Sequence, residues 1–341
     1  LGRALRAVHR PQDPGELAAA RRRLAFEELF TLSLGLSLLG RRVREAAGTP
    51  IQRTDMAPFF AALPFAPTGA QRRVIAEAAA DMAKPVPMNR LVQGDVGSGK
   101  TAVAAALCYA AAKAGFQSAM MAPTEILAGQ HYATLSGLLE PLGIRIVLVT
   151  GGMPAKERRA ALAALAAGEA DLVVGTHALI EGDCTFARLG LVVTDEQHRF
   201  GVAQRAALSA KGDSPHTLVM SATPIPRTLA LMIYGDLDVS ALDEMPAGRQ
   251  KIDTFVVEED MRRRIDDFTL RQLGEGRQVF VICPVIENEE EEESTLTDVM
   301  THAERLAKVC APYPVAALHG RMKPAEKDRI MNEFAKGNIR V

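Results

Sequence analysis

Gly94-Asp95-Val96-Gly97-Ser98-Gly99-Lys100-Thr101 is a complete GxxxxGKT phosphate loop, and its flanks are the ones that motif needs. Arg90-Leu91-Val92-Gln93 reads as a short apolar strand entering the loop. Thr101-Ala102-Val103-Ala104-Ala105-Ala106-Leu107 is a strong helix former leaving it. Strand, glycine turn and helix place unpaired N–H groups and the positive end of a helix dipole where a phosphate can sit. Gly94, Gly97, Ser98 and Gly99 form the cradle. The glycines adopt backbone angles that a Cβ obstructs and let amides approach phosphate oxygens. Lys100 is placed for the β- and γ-phosphates and the Thr101 hydroxyl for Mg²⁺, so ATP and Mg²⁺ are the expected cofactors.

About a hundred residues on, the apolar run Leu191-Val192-Val193-Thr194 ends in Asp195-Glu196-Gln197-His198. A carboxylate at the C-terminal end of a buried parallel strand faces the crevice where α/β sheets bind ligands. Alone, an Asp-Glu pair reads as a solvated strand end. Downstream of a phosphate loop it reads as Asp195 on the Mg²⁺ side and Glu196 as the base that orients and deprotonates the attacking water. His198 is then placed to sense the γ-phosphate or to couple it to the nucleic-acid side. Ser221-Ala222-Thr223-Pro224-Ile225-Pro226-Arg227-Thr228 follows. Three such elements in this order imply a motor that couples ATP hydrolysis to movement on nucleic acid.

Outward from the loop, short β runs alternate with helices between residues 51 and 246. The candidate strands are Arg90–Gln93, Ser118–Ala122, Ile144–Val149, Leu172–Val174, Leu191–Thr194 and Thr217–Ser221. That alternation predicts a doubly wound parallel α/β sheet. Met245-Pro246-Ala247-Gly248-Arg249 reads as a linker. A second alternation occupies 247–341, with strands expected at Lys251–Val257, Val279–Cys283 and Val315–His319 and helices near Met261–Leu273, from Leu296 and from Pro324. Glu287–Glu293, nearly all acid, reads as a solvated loop.

Residues 1–50 form a separate piece. Asp13 can cap a helix, Pro14 suits its first turn and Glu16 stands where a capping box wants a carboxylate. Ala25, Leu29, Leu32, Leu36 and Leu39 share one helix face, bracketed by Arg21 to Arg23 and by Arg41, Arg42 and Arg44. Two readings stand: a packing helix with solvated ends, or a brace that also touches DNA phosphate.

Composition sets looser bounds. Forty Lys and Arg against 41 Asp and Glu give a net charge of −1, so no global basic signature marks a nucleic-acid binder. A translocating motor needs only a local basic track. Cys108, Cys184, Cys283 and Cys310 form no metal pattern and read as reduced thiols of a cytosolic protein. Leu24–Leu39 carries Glu27 and Glu28 and is too short to span a membrane.

Further strings complete a pattern: Phe65-Ala66-Pro67-Thr68-Gly69-Ala70-Gln71-Arg72, Ala122-Pro123-Thr124-Glu125-Ile126-Leu127-Ala128-Gly129-Gln130-His131, Gly175-Thr176-His177-Ala178-Leu179-Ile180, Arg199-Phe200-Gly201-Val202-Ala203-Gln204-Arg205 and Leu318-His319-Gly320-Arg321-Met322-Lys323. With DEQHRFG and SATPIPRTLAL, the series resembles the RecG family, bacterial superfamily-two DNA helicases that remodel branched DNA, over essentially the whole chain. The transcription-repair coupling factors share several strings but usually carry DEEHRFG; a double-stranded DNA translocase of that type is the alternative. The resemblance implies a RecA-like P-loop domain preceded by a long α-helix and followed by a partial second RecA-like domain. It implies that Gln71 recognises adenine by its hydrogen-bonding edge, with Phe65 either against the base or in the core. It implies that Thr124 and Thr176 line the nucleic-acid track, where their hydroxyls and nearby amides suit phosphate contacts; each segment also reads as an ordinary strand-to-helix turn. Ser221 and Thr223 resemble the switch that couples the nucleotide site to the second domain. The expected partner is branched DNA (replication forks, four-way junctions) and the expected form a monomer in the bacterial cytoplasm. Against the family, the chain starts after the wedge domain and stops at Val341, before the trans-cleft arginines. A weakly active fragment is therefore expected. A nucleotide-binding regulator would not need Ser221-Ala222-Thr223, and an interaction scaffold would not need Lys100, Thr101, Asp195 and Glu196 together.

Overall fold

Apolar runs rich in Val, Leu and Met suit strands buried on both faces. In the computed structural model all six runs expected before residue 222 form strands, with small shifts at their ends. The structure describes residues 1–44, 48–52, 54–195, 207–222, 237–246, 252–284 and 299–341. Glu196, His198, Thr223, the 199–205 string, most of the linker and the acidic run lie outside these residues.

The chain divides into two compact units, Leu1–Arg249 and Gln250–Val341. The first opens with helices α1 (Gly2–His9) and α2 (Pro14–Arg44), then α3 (Ala57–Ala62) and α4 (Gly69–Met82). There follow β1 (Asn89–Gly94), α5 (Lys100–Lys113), β2 (Gln117–Met121), α6 (Glu125–Leu139), β3 (Ile146–Val149), α7 (Ala155–Ala166), β4 (Leu172–Gly175), β5 (Leu189–Thr194), β6 (His216–Ser221) and β7 (Asp238–Leu242). The seven strands pair in the order β3-β4-β2-β5-β6-β1-β7, and every pairing is parallel. β7 is an element the sequence reading misses.

Alternation along the strands sends side chains to two separate cores. Val92, Met120, Val174, Val193 and Leu218 pack with Val74, Leu107 and Leu135 of α4, α5 and α6. Ala119, Met121, Val173 and Val192 pack on the other face with Ala161 and Leu165 of α7. His216, at the start of β6, locks the sheet's N-terminal edge. Its Nδ1 accepts from the Met88 amide at 2.9 Å, and its Nε2 lies 3.0 Å from the Thr49 carbonyl. That pattern fixes the neutral tautomer with the proton on Nε2.

The capping expected at Asp13 is present: its Oδ1 accepts from the Glu16 amide at 2.8 Å, while the Glu16 carboxylate accepts from Gln12 N, also at 2.8 Å. Ala20 of α2 packs on Ala4 and Ala7 of α1, a helix the sequence reading also misses. On the expected packing face of α2, Leu29 and Leu32 are exposed, and the side chains of Leu36 and Leu39 lie outside the described residues.

The second unit holds the helices Arg262–Gly274, Val299–Val309 and Pro324–Ala335. The three strands expected there form no ladder. Residues 278–283 and 314–318 flank 339–341 through isolated bonds, Val279 N to Arg340 O, Arg340 N to Pro314 O and Ala316 N to Val341 O, at 2.9–3.0 Å. Residues 252–257 form no regular element and are largely exposed. Local β preference alone makes no ladder, which needs neighbours along its full length.

Candidate nucleotide and nucleic-acid site

Strand register sets the site. Gln93 pairs with Ser221 and Met121 with Thr194, so the C-terminal ends of β1, β6, β5, β2 and β4 form one edge of the sheet. Gly94, Ser221, Asp195, Ala122 and Gly175 lie along it.

The phosphate loop is preformed. Gly97 and Gly99 hold φ of +82° and +87°, where a side chain is strained. A Cβ on Gly99 would also strike the Gln71 amide, and one on Gly94 would lie 2.5 Å from Ser98 Oγ. Gly99 is the N-cap of α5 and provides no side-chain cap, so the positive end of α5 opens on the loop, where an anion is favoured. Lys100 Nζ donates to the loop carbonyls of Gly94 at 2.7 Å and Asp95 at 3.1 Å. The lysine is thereby held over the cradle.

Gln71 is placed differently from expectation. It is 1% exposed, and both ends of its amide are engaged within the protein. Its Oε1 accepts from Thr68 N at 3.0 Å, closing a capping box on α4, and its Nε2 donates to Ser98 O at 2.8 Å. The capping geometry that fixes α4 turns the amide onto the phosphate loop instead of outward. Glu244, at the end of β7, also accepts from Ala70 N of α4 at 3.1 Å. Phe65 is 44% exposed and lines an apolar cavity of about 390 Å³ with Leu63, Pro64, Gly99, Thr101 and Leu138. The ring therefore stands open beside the loop and is not a core residue.

Asp195 emerges from β5 nearly buried, and its Oδ2 meets His131 Nε2 of α6 at 2.7 Å. Thr124 caps α6, accepting from Leu127 N at 3.3 Å. Thr176 is 2% exposed and its Oγ1 is buried with no partner. This corrects the expected phosphate contact by its hydroxyl: the side chain turns inward at the end of β4, and backbone groups of that turn and the exposed His177 remain to face a ligand. Ser221 is likewise buried, at the end of β6.

Sequence reading assigned no role to two features of this edge. His131 is one. The other is the turn after β3, where Gly152 N donates to Glu125 Oε1 at 2.7 Å and joins that turn to the start of α6. The residues fit Mg²⁺. A glycine cradle for phosphate, a hydroxyl at Thr101 and one nearly buried carboxylate suit a hard cation that nucleotide oxygens and water largely coordinate.

Residues 68–232 match the family model described as DEAD/DEAH box helicase. With the sheet order and the phosphate loop, that match defines the class to which the segment is similar: DEAD/DEAH box helicase domains on a RecA-like sheet. The particular likeness is to RecG. The ATP-dependent DNA helicase RecG of Bacillus subtilis is 45% identical over 99% of this chain, and that of Escherichia coli K12 is 43% identical over all of it. The chain spans about half the length of these curated relatives, 50% and 51%. A solved RecG bound to a three-way DNA junction superposes with a TM-score of 0.80 at 39% identity, covering 99% of this chain and 44% of that one. A DEAD-box helicase bound to single-stranded RNA, 16% identical with a TM-score of 0.63, shares the fold; it is covered to 63% and covers 85% of this chain. No helix among the described residues is long and apolar enough to cross a membrane.

Proposed function

We propose that this chain is the motor segment of a RecG-type helicase of the bacterial cytoplasm, binding Mg·ATP at Gly94–Thr101 and using its hydrolysis to remodel branched DNA. The observation that carries the reading is the single sheet edge on which a preformed phosphate loop, Asp195, Ser221 and the α6 cap stand together. The full-length similarity to a RecG solved on a DNA junction supports the substrate class. Residues 1–50 act as the linker helix, 51–246 as the ATP-binding domain and 247–341 as part of the second motor domain.

In this reading Lys100 exchanges the Gly94 and Asp95 carbonyls for β- and γ-phosphate oxygens. The uncapped first turn of α5 and the loop amides bind the remaining oxygens. Thr101 and Asp195 hold Mg²⁺, which neutralises phosphate charge when bound. Phe65 covers the base from its apolar cavity. Gln71 acts from beneath, fixing the loop through Ser98. Glu196 orients and deprotonates the attacking water, and His198, Ser221 and Thr223 pass the state of the phosphate site to the second domain. Backbone groups of the turns at Thr124, Gly152 and Thr176 contact DNA phosphates irrespective of sequence.

The test is ATP turnover with fork DNA, on this chain and on a full-length protein containing it, for Lys100→Ala and Glu196→Gln. Glu196→Gln removes a general base, so turnover falls by about 10²–10⁴ while nucleotide still binds. Lys100→Ala loses binding. Undiminished turnover in Glu196→Gln assigns the base elsewhere, and undiminished affinity in Lys100→Ala removes the nucleotide site from this loop.

A further inference from the structure

His131 lies outside every role assigned so far, although its contact is among the best defined at the sheet edge. Its Nε2 is 2.7 Å from Asp195 Oδ2, and both side chains are only 12% exposed. The partners are 64 residues apart in sequence, so the fold alone brings them together.

We infer that His131 is a positioning residue: it holds the Asp195 carboxylate in the orientation that receives Mg²⁺. The inference rests on the reading of Asp195 as the carboxylate on the Mg²⁺ side of the nucleotide site.

Three observations support it. The first is anchoring. Ala128 and Leu135 are fully buried, and His131 lies between them at three- and four-residue spacing, so it leaves from the packed face of α6. The start of α6 is held by the Thr124 cap and by the bond from Gly152 N to Glu125. The imidazole is carried by a rigid element and cannot swing away cheaply. The second is chemistry. An imidazole Nε2 2.7 Å from a carboxylate oxygen is at the distance of a short hydrogen bond, and such a bond fixes the rotamer of the carboxylate. The third is location. Asp195 follows β5 directly, and its own amide donates to Met121 O at 3.0 Å. The backbone of Asp195 is therefore set by the sheet and its side chain by His131. Partners that orient a metal-binding carboxylate typically govern affinity by about 10- to 100-fold.

A purely structural ion pair predicts something different, namely a change in stability with no change in the response to Mg²⁺. The experiment separates the two on this chain. Binding of a fluorescent ADP analogue is titrated with MgCl₂ at fixed pH, from a metal-free start in EDTA, for the parent chain and the variants His131→Ala, His131→Gln and Asp195→Ala. The expected result is equal metal-free affinity for all four, with about tenfold more Mg²⁺ needed for half-saturation in His131→Ala. His131→Gln should recover most of that shift, because its amide N–H reaches the same carboxylate oxygen. Asp195→Ala should lose the Mg²⁺ response. If His131→Ala fails to fold, His131→Asn replaces it with the same expectation, since its shorter amide falls short of Asp195. A parent-like Mg²⁺ midpoint in the Ala or Asn variant, beside a shifted Asp195→Ala, overturns the inference about His131 alone. An unshifted Asp195→Ala overturns the metal-site reading, and the inference falls with it.

Discussion

The two units use similar apolar runs to different ends. In Leu1–Arg249 each strand before residue 222 has a partner along its length, and β1, β2, β5 and β6 are covered on both faces. In Gln250–Val341 the run Val279–Cys283 makes one backbone bond among the described residues, and Ile282 stays 93% exposed. Both stretches have the composition of a buried strand. The difference teaches that an apolar run becomes a buried strand only where other segments stand beside it.

Thiol chemistry gives the widest separation between the units. Cys108 is fully enclosed in α5, and burial pushes its thiol up to about 12, so little thiolate exists to react. Cys283 stands part-exposed in the unpaired run. Native-state labelling with a maleimide, read by peptide mass spectrometry, should modify Cys283 at least about 10³-fold faster, since buried sites react only through costly opening. Comparable rates would mean that the sheet core opens as readily as the second unit.

Next come truncations. Leu218 of β6 is fully buried between the central strands, and Leu218→Ala should cost about 2–5 kcal/mol in urea unfolding. Ile282→Ala should stay within about 0.5 kcal/mol, as for other exposed positions. A large loss at Ile282 would show that 279–283 is packed in solution. Gly99→Ala belongs between these two in stability, at about 1–2 kcal/mol for a side chain forced to positive φ. It should also weaken ADP binding in calorimetry, because the new methyl displaces Gln71.

The smallest effect concerns pH. Burial lowers the His216 pKa, and this outweighs the opposing bond to Thr49. The unfolded chain then binds a proton that the folded chain resists, so stability rises with pH across this window. The contribution is complete above the ordinary histidine value of about 6.5 and is lost progressively as pH falls from there toward the lowered folded value. Thermal melting of the parent chain and His216→Gln between pH 5 and 8 checks it: the parent curve should be the steeper one. Equal slopes would place the acid sensitivity elsewhere.

Much of the first unit was legible because its signals are local. The phosphate loop declares itself by glycine spacing, and the apolar runs declare six strands. β7 was missed because Asp238-Val239-Ser240-Ala241-Leu242 alternates weakly and lies at the sheet edge, pairing only with β1. α1 was missed because it is only eight residues long, although its apolar and charged residues fall on opposite faces. Contacts over long separations gave no signal at all. His131 with Asp195, His216 with Thr49 and Gln71 with Ser98 are chosen by topology, and no local pattern marks them. The Thr176 hydroxyl shows the same limit, since its place on a turn was readable but its inward direction was not.

The strand order carries a consequence for biosynthesis. β1 leads into the phosphate loop, yet its two neighbours are the last strands of the unit to be made, β6 and β7. At about 5–20 residues per second, translation leaves roughly 7–28 seconds between completion of the loop and arrival of Leu242. Through that interval β1 presents unpaired edges to anything nearby, which is the hazard of an uncovered strand. The nucleotide cradle is written early in the chain and finished late. Nucleotide can therefore lend little stability to the nascent unit, and a chaperone that shields apolar edges has its longest window here.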